Sequence, residues 1–166
     1  KSFTLSNGMK IMVLEDHTIP NANMYIFWKV GSRNEYPGIT GLSHFFEHMM
    51  FNGSKKYGPK MFDRTMEAAG RSTGLENSNF RNLSEQVKAV AFSAHPYSWS
   101  VIGYESDIKN WTINDLQRYF DIYYAPNNAV VVISGDVTLE GVKKLAKQYF
   151  EPIPAQPEAR KVHTIE

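Results

Sequence analysis

The sequence predicts an α+β fold, a mainly antiparallel β-sheet with helices packed on one face. Three observations carry this. Asn7-Gly8 lies between two short apolar runs, the strongest two-residue hairpin signal. Ala129 to Ser134 is a continuous run rich in β-branched residues, as in a buried strand. Apolar residues recur at helical spacing in other segments, among them Leu42 to Met50, Ile113 to Tyr123 and Val142 to Tyr149.

The elements follow in order. Phe3 to Leu5 and Met9 to Glu15 read as the two strands of the hairpin. Met24, Ile26, Trp28 and Val30 alternate with Tyr25, Phe27 and Lys29, which gives a third strand. Gly31 to Thr40 is a polar loop containing Pro37-Gly38. It leads into a helix whose stripe of Leu42, Phe45, Phe46, Met49 and Met50 is expected to be buried. Asn52-Gly53 reads as its stop. Met61 to Ala69 reads as a helix stopped by Gly70, and residues 71–79 are polar and irregular. Asn82 with Glu85 resembles a capping box opening a further helix through Val87, Val90 and Ala91. Residues 95–103 form an aromatic loop. Thr112 with Asp115 is a second capping signal, and Ile113, Leu116, Tyr119, Phe120 and Tyr123 lie on one side of the helix behind it. After the strand at 129–134, Gly135-Asp136 turns into a last helix, with Val142, Leu145, Ala146 and Tyr149 facing inward. Residues 1–151 are thus expected to form one module. Residues 152–166 read as a linker or tail, after which more chain is expected.

Bulk properties narrow the function classes. With 166 residues, 42% hydrophobic and 13% aromatic, the chain is globular and large enough for a core. A net charge of +1 gives no reason to invoke nucleic acid or an anionic membrane. No apolar run approaches the roughly 18 residues of a membrane span. There is no cysteine, hence no disulfide and no thiolate metal ligand. The chain opens directly on a strand with no signal peptide, so its natural start is expected upstream. Bacterial periplasm or extracellular space, cytoplasm and mitochondrial matrix all fit.

The most informative stretch is His44-Phe45-Phe46-Glu47-His48, which reads H-x-x-E-H. Residues four apart on a helix lie on one face, so His44 and His48 can present two imidazoles to one metal ion. Glu47 lies beside the pair, placed to take a proton from a water at the metal rather than to ligate it. A lone histidine is ordinarily a surface or core residue. The full five-residue pattern arises by chance in a domain of this size on the order of one time in a hundred.

With its flanks, the motif extends to a family. The segments Gly41 to Gly53, Tyr57 to Gly70, His95 to Asp107 and Tyr124 to Val137 resemble the pitrilysin/insulinase family of zinc peptidases, which includes the mitochondrial processing peptidase. The resemblance implies Zn2+ as cofactor, with His44 and His48 as ligands and Glu47 as general base. It implies a half-module fold that pairs with a second homologous module, in the same chain or in a dimer, to enclose a chamber. There small or unfolded peptides bind by strand addition and are cleaved.

One departure stands out. The family draws its third zinc ligand from a glutamate some seventy-odd residues beyond the motif. Here Gly70 is followed almost at once by sequence resembling what lies after that glutamate. About fifty residues are therefore expected to be missing near positions 70–71, the third ligand and the substrate-binding edge strand among them. Glu76 is a weak substitute because it lies in a flexible polar stretch. Glu67 reads as a solvated helix face, Glu85 as a cap and His95 as structural; His17 and His163 carry no signal. The reading is a zinc metalloendopeptidase module. The alternatives are a noncatalytic partner module of the same family or an inactive truncated fragment. A metal-dependent lyase of the S-ribosylhomocysteine type shares the motif but uses cysteine, which this chain lacks.

Overall fold

The computed structural model describes residues 1–50, 52–54, 58–59, 61, 64, 91–92, 94–159 and 161–164. Backbone contacts divide the chain into two compact units. The first joins Lys1–Val30 to Gln117–Lys161, and the second joins Gly31–Leu116 to Val162–Glu166.

The first unit is built on β1 (Ser2–Thr4), β2 (Lys10–Glu15), β3 (Ala22–Trp28) and β4 (Ala129–Gly135), with helix α4 (Leu139–Tyr149) and the part of α3 (Ile113–Tyr123) from Gln117 onward. The strands lie in one sheet in the order β1-β2-β4-β3. β1 and β2 form the hairpin expected at Asn7-Gly8. The Gly8 N–H donates to the Leu5 carbonyl and the Leu5 N–H to that of Met9, both at 2.9 Å. Gly8 takes φ of 85°, the left-handed region open to glycine. The Asn7 side-chain amide donates to the Phe150 and Ile153 carbonyls at 2.7 and 3.0 Å, which ties the hairpin to the end of α4. The tail is also held, because the Asn127 side chain bonds both backbone groups of Gln156, at 2.8 and 3.1 Å.

The sheet is mixed. β3 pairs with β4 antiparallel, but β2 pairs with β4 in parallel, from Lys10↔Val130 to Glu15↔Gly135. β4 slots between two strands made early in the chain, and its unbroken apolar run suits that central place. One face carries Ile11, Val13 and Val131, packed with Leu5, Met9 and Ala129 against Val142 and Ala146 of α4. Ile11 is wholly buried. Ile11→Ala is therefore expected to cost about 2–5 kcal/mol. Leu14→Ala, at a side chain 65% exposed, should stay within about 0.5 kcal/mol. Urea midpoints of the two variants check this, and equal losses would place the core elsewhere. The opposite face exposes Met12, Leu14, Tyr25 and Phe27. Among the described residues β3 is an outer strand.

The inward face expected of α4 is narrower than its apolar spacing suggests, and the apolar side of α3 is likewise only partly covered. In α4, Leu145 and Tyr149 are 54% and 63% exposed, and in α3, Ile113 and Phe120 are 78% and 43% exposed. Only Val142 with Ala146, and Tyr119 with Tyr123, are buried. A short helix lying against one surface buries a single i, i+4 strip, and the residues flanking that strip reach solvent.

The second unit holds α1 (Leu42–Met49), α2 (Glu105–Asn110) and two 3-10 turns, Ser32–Asn34 and Pro96–Ser98. The Trp99 indole N–H donates to the Ser32 carbonyl at 3.0 Å. The capping box at Thr112 forms as read: the Thr112 N–H donates to Asp115 at 2.9 Å, and the Asp115 N–H returns to the Thr112 hydroxyl at 3.2 Å. α1 ends three residues before Asn52, and Gly53 takes φ of 101°. Its apolar stripe is buried only at the start. Leu42 is fully buried, Phe45 and Phe46 are half-buried, and Met49 and Met50 are 42% and 43% exposed. An apolar stripe is buried only where something packs on it, and among the described residues that is the first turn. The helices expected at 61–69 and after Asn82, the 70–71 junction, and Glu67, Glu76 and Glu85 lie outside the described residues. Among the described residues no helix is long and apolar enough to cross a membrane.

Candidate metal centre

The site begins with how α1 starts. Its N-cap position is Gly41, at φ of 89°, with no side chain to satisfy the helix's first N–H groups. Glu35 supplies the missing acceptor from the loop. One carboxylate oxygen accepts from the Gly41 N–H and the other from the Ser43 N–H, each at 2.8 Å. Glu35 is only 4% exposed. Burial pushes its carboxyl above the usual range, while hydrogen bonds from Ser43 and Gly41 pull it back.

A second carboxylate holds the residues just before. One oxygen of Asp107, on α2, accepts from the Gly38 N–H at 2.9 Å, the Thr40 N–H at 3.2 Å and the Thr40 hydroxyl at 2.7 Å. These bonds, led by that of the Thr40 hydroxyl, hold the Asp107 carboxyl below its ordinary range. Thr40 is fully buried, and its hydroxyl oxygen accepts from the Tyr104 N–H at 2.9 Å. Backbone meets backbone here. A Cβ at Gly41 would stand 2.2 Å from the Ile102 carbonyl oxygen, and one at Gly103 would stand 2.4 Å from that of Thr40. Only glycine fits at either place.

From this anchored start α1 carries His44, Glu47 and His48. The two imidazoles converge, with Nε2 atoms 3.0 Å apart and rings inclined at 77°. Two imidazole nitrogens bound to one tetrahedral zinc stand about 3.3 Å apart, so the pair fits a shared ion with a slight opening. His44 is half-buried, while Glu47 and His48 face solvent. Phe45, on the other side, packs on Trp111 with ring centroids 5.5 Å apart.

The other histidines do not join them. His95 caps the Pro96–Ser98 turn, its Nδ1 accepting from the Tyr97 N–H at 3.2 Å, a structural role. His17 Nδ1 lies 2.6 Å from an Asp136 oxygen in the first unit. His163 is exposed. Among the described residues no group of three or more histidine or carboxylate side chains is placed to hold a metal ion. Glu35 and Asp107 were not singled out from the sequence. The available signal was indirect: a helix opening on Gly41 with no Ser, Thr, Asp or Asn at its cap must find its acceptor elsewhere.

Residues 10–93 match the family described as Insulinase (Peptidase family M16), and residues 110–165 match Peptidase M16 inactive domain. The zinc protease PqqE of Helicobacter pylori is 29% identical over 209 aligned residues, which cover 92% of this chain and 47% of that protein. The human insulin-degrading enzyme is 35% identical over 85 residues, covering 49% of this chain and 8% of that one. Among solved structures, a protease from Helicobacter pylori superimposes with a TM-score of 0.80 at 24% identity, over 99% of this chain and 52% of that one. The first half of the periplasmic protease PqqL of Escherichia coli gives 0.81 at 18% identity, over 98% and 48%. The chain spans about half the length of the relatives it matches from end to end.

Proposed function

The chain belongs to the insulinase family of peptidases, and from that premise we propose that it is the metal-bearing module of a zinc metalloendopeptidase. The observation that carries the reading is the convergence of His44 and His48 to 3.0 Å on one face of α1. These two residues hold the zinc. A bound zinc lowers the pKa of water to about 7 and polarises the scissile carbonyl. Glu47 is the general base. It takes a proton from water as the oxygen adds to the peptide carbonyl carbon. It then delivers that proton to the amide nitrogen as the C–N bond breaks, leaving a carboxylic acid and an amine.

Two histidines leave zinc one protein ligand short of the three usual at catalytic sites. The third, on this reading, belongs to a segment that residues 1–151 lack near positions 70–71. The alignment with the Helicobacter pylori zinc protease supports this, since its 209 positions exceed the 166 residues here and so open gaps in this chain. Half-length coverage of the relatives supports a second module that completes a chamber around a peptide substrate. A noncatalytic partner module is the second reading, favoured by the match of residues 110–165 to an inactive domain. The intact His44, Glu47 and His48 weigh against it.

The test is a zinc titration with a quenched-peptide assay, on the 166-residue chain and on the protein joined to its second module. The chain alone should bind zinc weakly and turn over little or no peptide. The two-module protein should cleave, lose activity to a chelator and regain it with zinc. Tight stoichiometric zinc with normal turnover in the chain alone would overturn the missing-ligand reading and bring Glu76 forward. Cleavage untouched by chelation would overturn the metal itself.

A further inference from the structure

We propose that Glu35 and Asp107 are positioning residues, a pair of carboxylates that fix the first turn of α1 and so bring His44 and His48 together. The inference rests on the metal reading above and adds residues outside the motif to it.

α1 is poorly equipped to hold its own shape. It has eight residues, Leu42–Met49, and isolated helices shorter than about 12–15 residues are marginal in water. Its second half, which carries Glu47 and His48, is exposed and receives little packing from the described residues. The imidazoles at i and i+4 converge only while the turn between them is helical, so the geometry must be imposed from the N-terminal end. That end has no side-chain cap of its own.

Glu35 supplies what the helix lacks. Its two oxygens take two N–H groups that the helix cannot satisfy internally, and its negative charge lies at the positive end of the helix dipole. Being buried, it cannot hand these donors to water. Asp107 acts one step earlier. Three hydrogen bonds from Gly38 and Thr40 fix the backbone entering Gly41. The contact of Gly41 with the 102–103 backbone leaves that entry no room to shift. Glu35 and Asp107 thus hold the helix through its backbone, as the hydrogen-bonded neighbours of a metal ligand hold its ring.

The experiment uses the 166-residue chain. Zinc affinity is read by competition with a chelating dye, and amide hydrogen exchange across residues 45–48 is read without metal. Glu35→Gln keeps the side chain's size but turns an amide N–H toward a backbone N–H. It should weaken zinc binding about tenfold, the scale for loss of a supporting partner, and speed exchange in α1. Asp107→Asn should do the same to a lesser degree, and it carries the test if Glu35→Gln does not fold. Val131→Ala lowers stability from the sheet and should leave zinc affinity unchanged. Folded Glu35→Gln and Asp107→Asn chains with wild-type affinity and wild-type exchange would overturn the proposal. Failure of the metal reading looks different. Zinc binding would then be absent in the wild type, or equal in His44→Ala and His48→Ala, and the two carboxylates would stand or fall on the exchange rates alone.

Discussion

Replacing Glu47 with glutamine is expected to lower peptide hydrolysis by at least about a hundredfold while zinc content stays near wild type. Glutamine keeps the length of the side chain and most of its hydrogen-bonding shape. It cannot accept a proton from water at neutral pH. The exposure of Glu47 on α1 suits this comparison, because no buried network depends on its charge among the bonds described. Folding and metal loading should therefore survive, and the loss should appear in kcat rather than KM. The measurement is a steady-state assay of the zinc-loaded two-module protein, with metal analysis on the same sample. Near-normal kcat in a fully loaded Glu47→Gln protein would remove Glu47 from the mechanism.

The second large effect separates ligand from base. His44→Ala should lose the metal itself. On the proposed reading the two histidines, with Nε2 atoms 3.0 Å apart, act as one chelating pair, and removing one leaves a single exposed imidazole on α1. Zinc per chain should fall close to zero after gel filtration, and activity should fall with it. Because His44 is only half-buried, the alanine should cost little stability, and a thermal melt without metal should sit near that of wild type. Retained stoichiometric zinc in His44→Ala would show that the ion is held elsewhere.

Local chemistry made much of this legible in the sequence. Asn7-Gly8 specifies its turn through backbone conformations that few residues tolerate. Thr112 and Asp115 specify a helix start through two reciprocal bonds. The i, i+4 spacing of His44 and His48 puts both on one face of any helix that forms there. What stayed hidden depends on partners remote in sequence. Nothing in Lys10–Glu15 announces that its neighbour is Ala129–Gly135, or that the two run parallel. Glu35 reads as one more acid in a polar loop, and its two bonds appear only once the loop has folded back on Gly41 and Ser43. Met49, Met50, Leu145 and Tyr149 fit an apolar stripe by periodicity. Periodicity says which side of a helix is greasy, not how much of that side another surface covers.

The position of β4 sets an order of events for a chain leaving the ribosome. β2 and β3 do not touch each other; both wait for β4, which is synthesised more than a hundred residues after β2. Until Ala129–Gly135 emerges, the N-terminal hairpin and the apolar β3 are nascent segments without their sheet. Such late, long-range pairing is slow, and it leaves strand edges open to other chains. The anchored start of α1 needs far less: Glu35, Thr40 and Gly41 lie within a few residues, and Asp107 precedes β4. The start of α1 can therefore form early in synthesis, while closure of the sheet must wait for β4, and until then β3 is the edge that a shielding chaperone would cover.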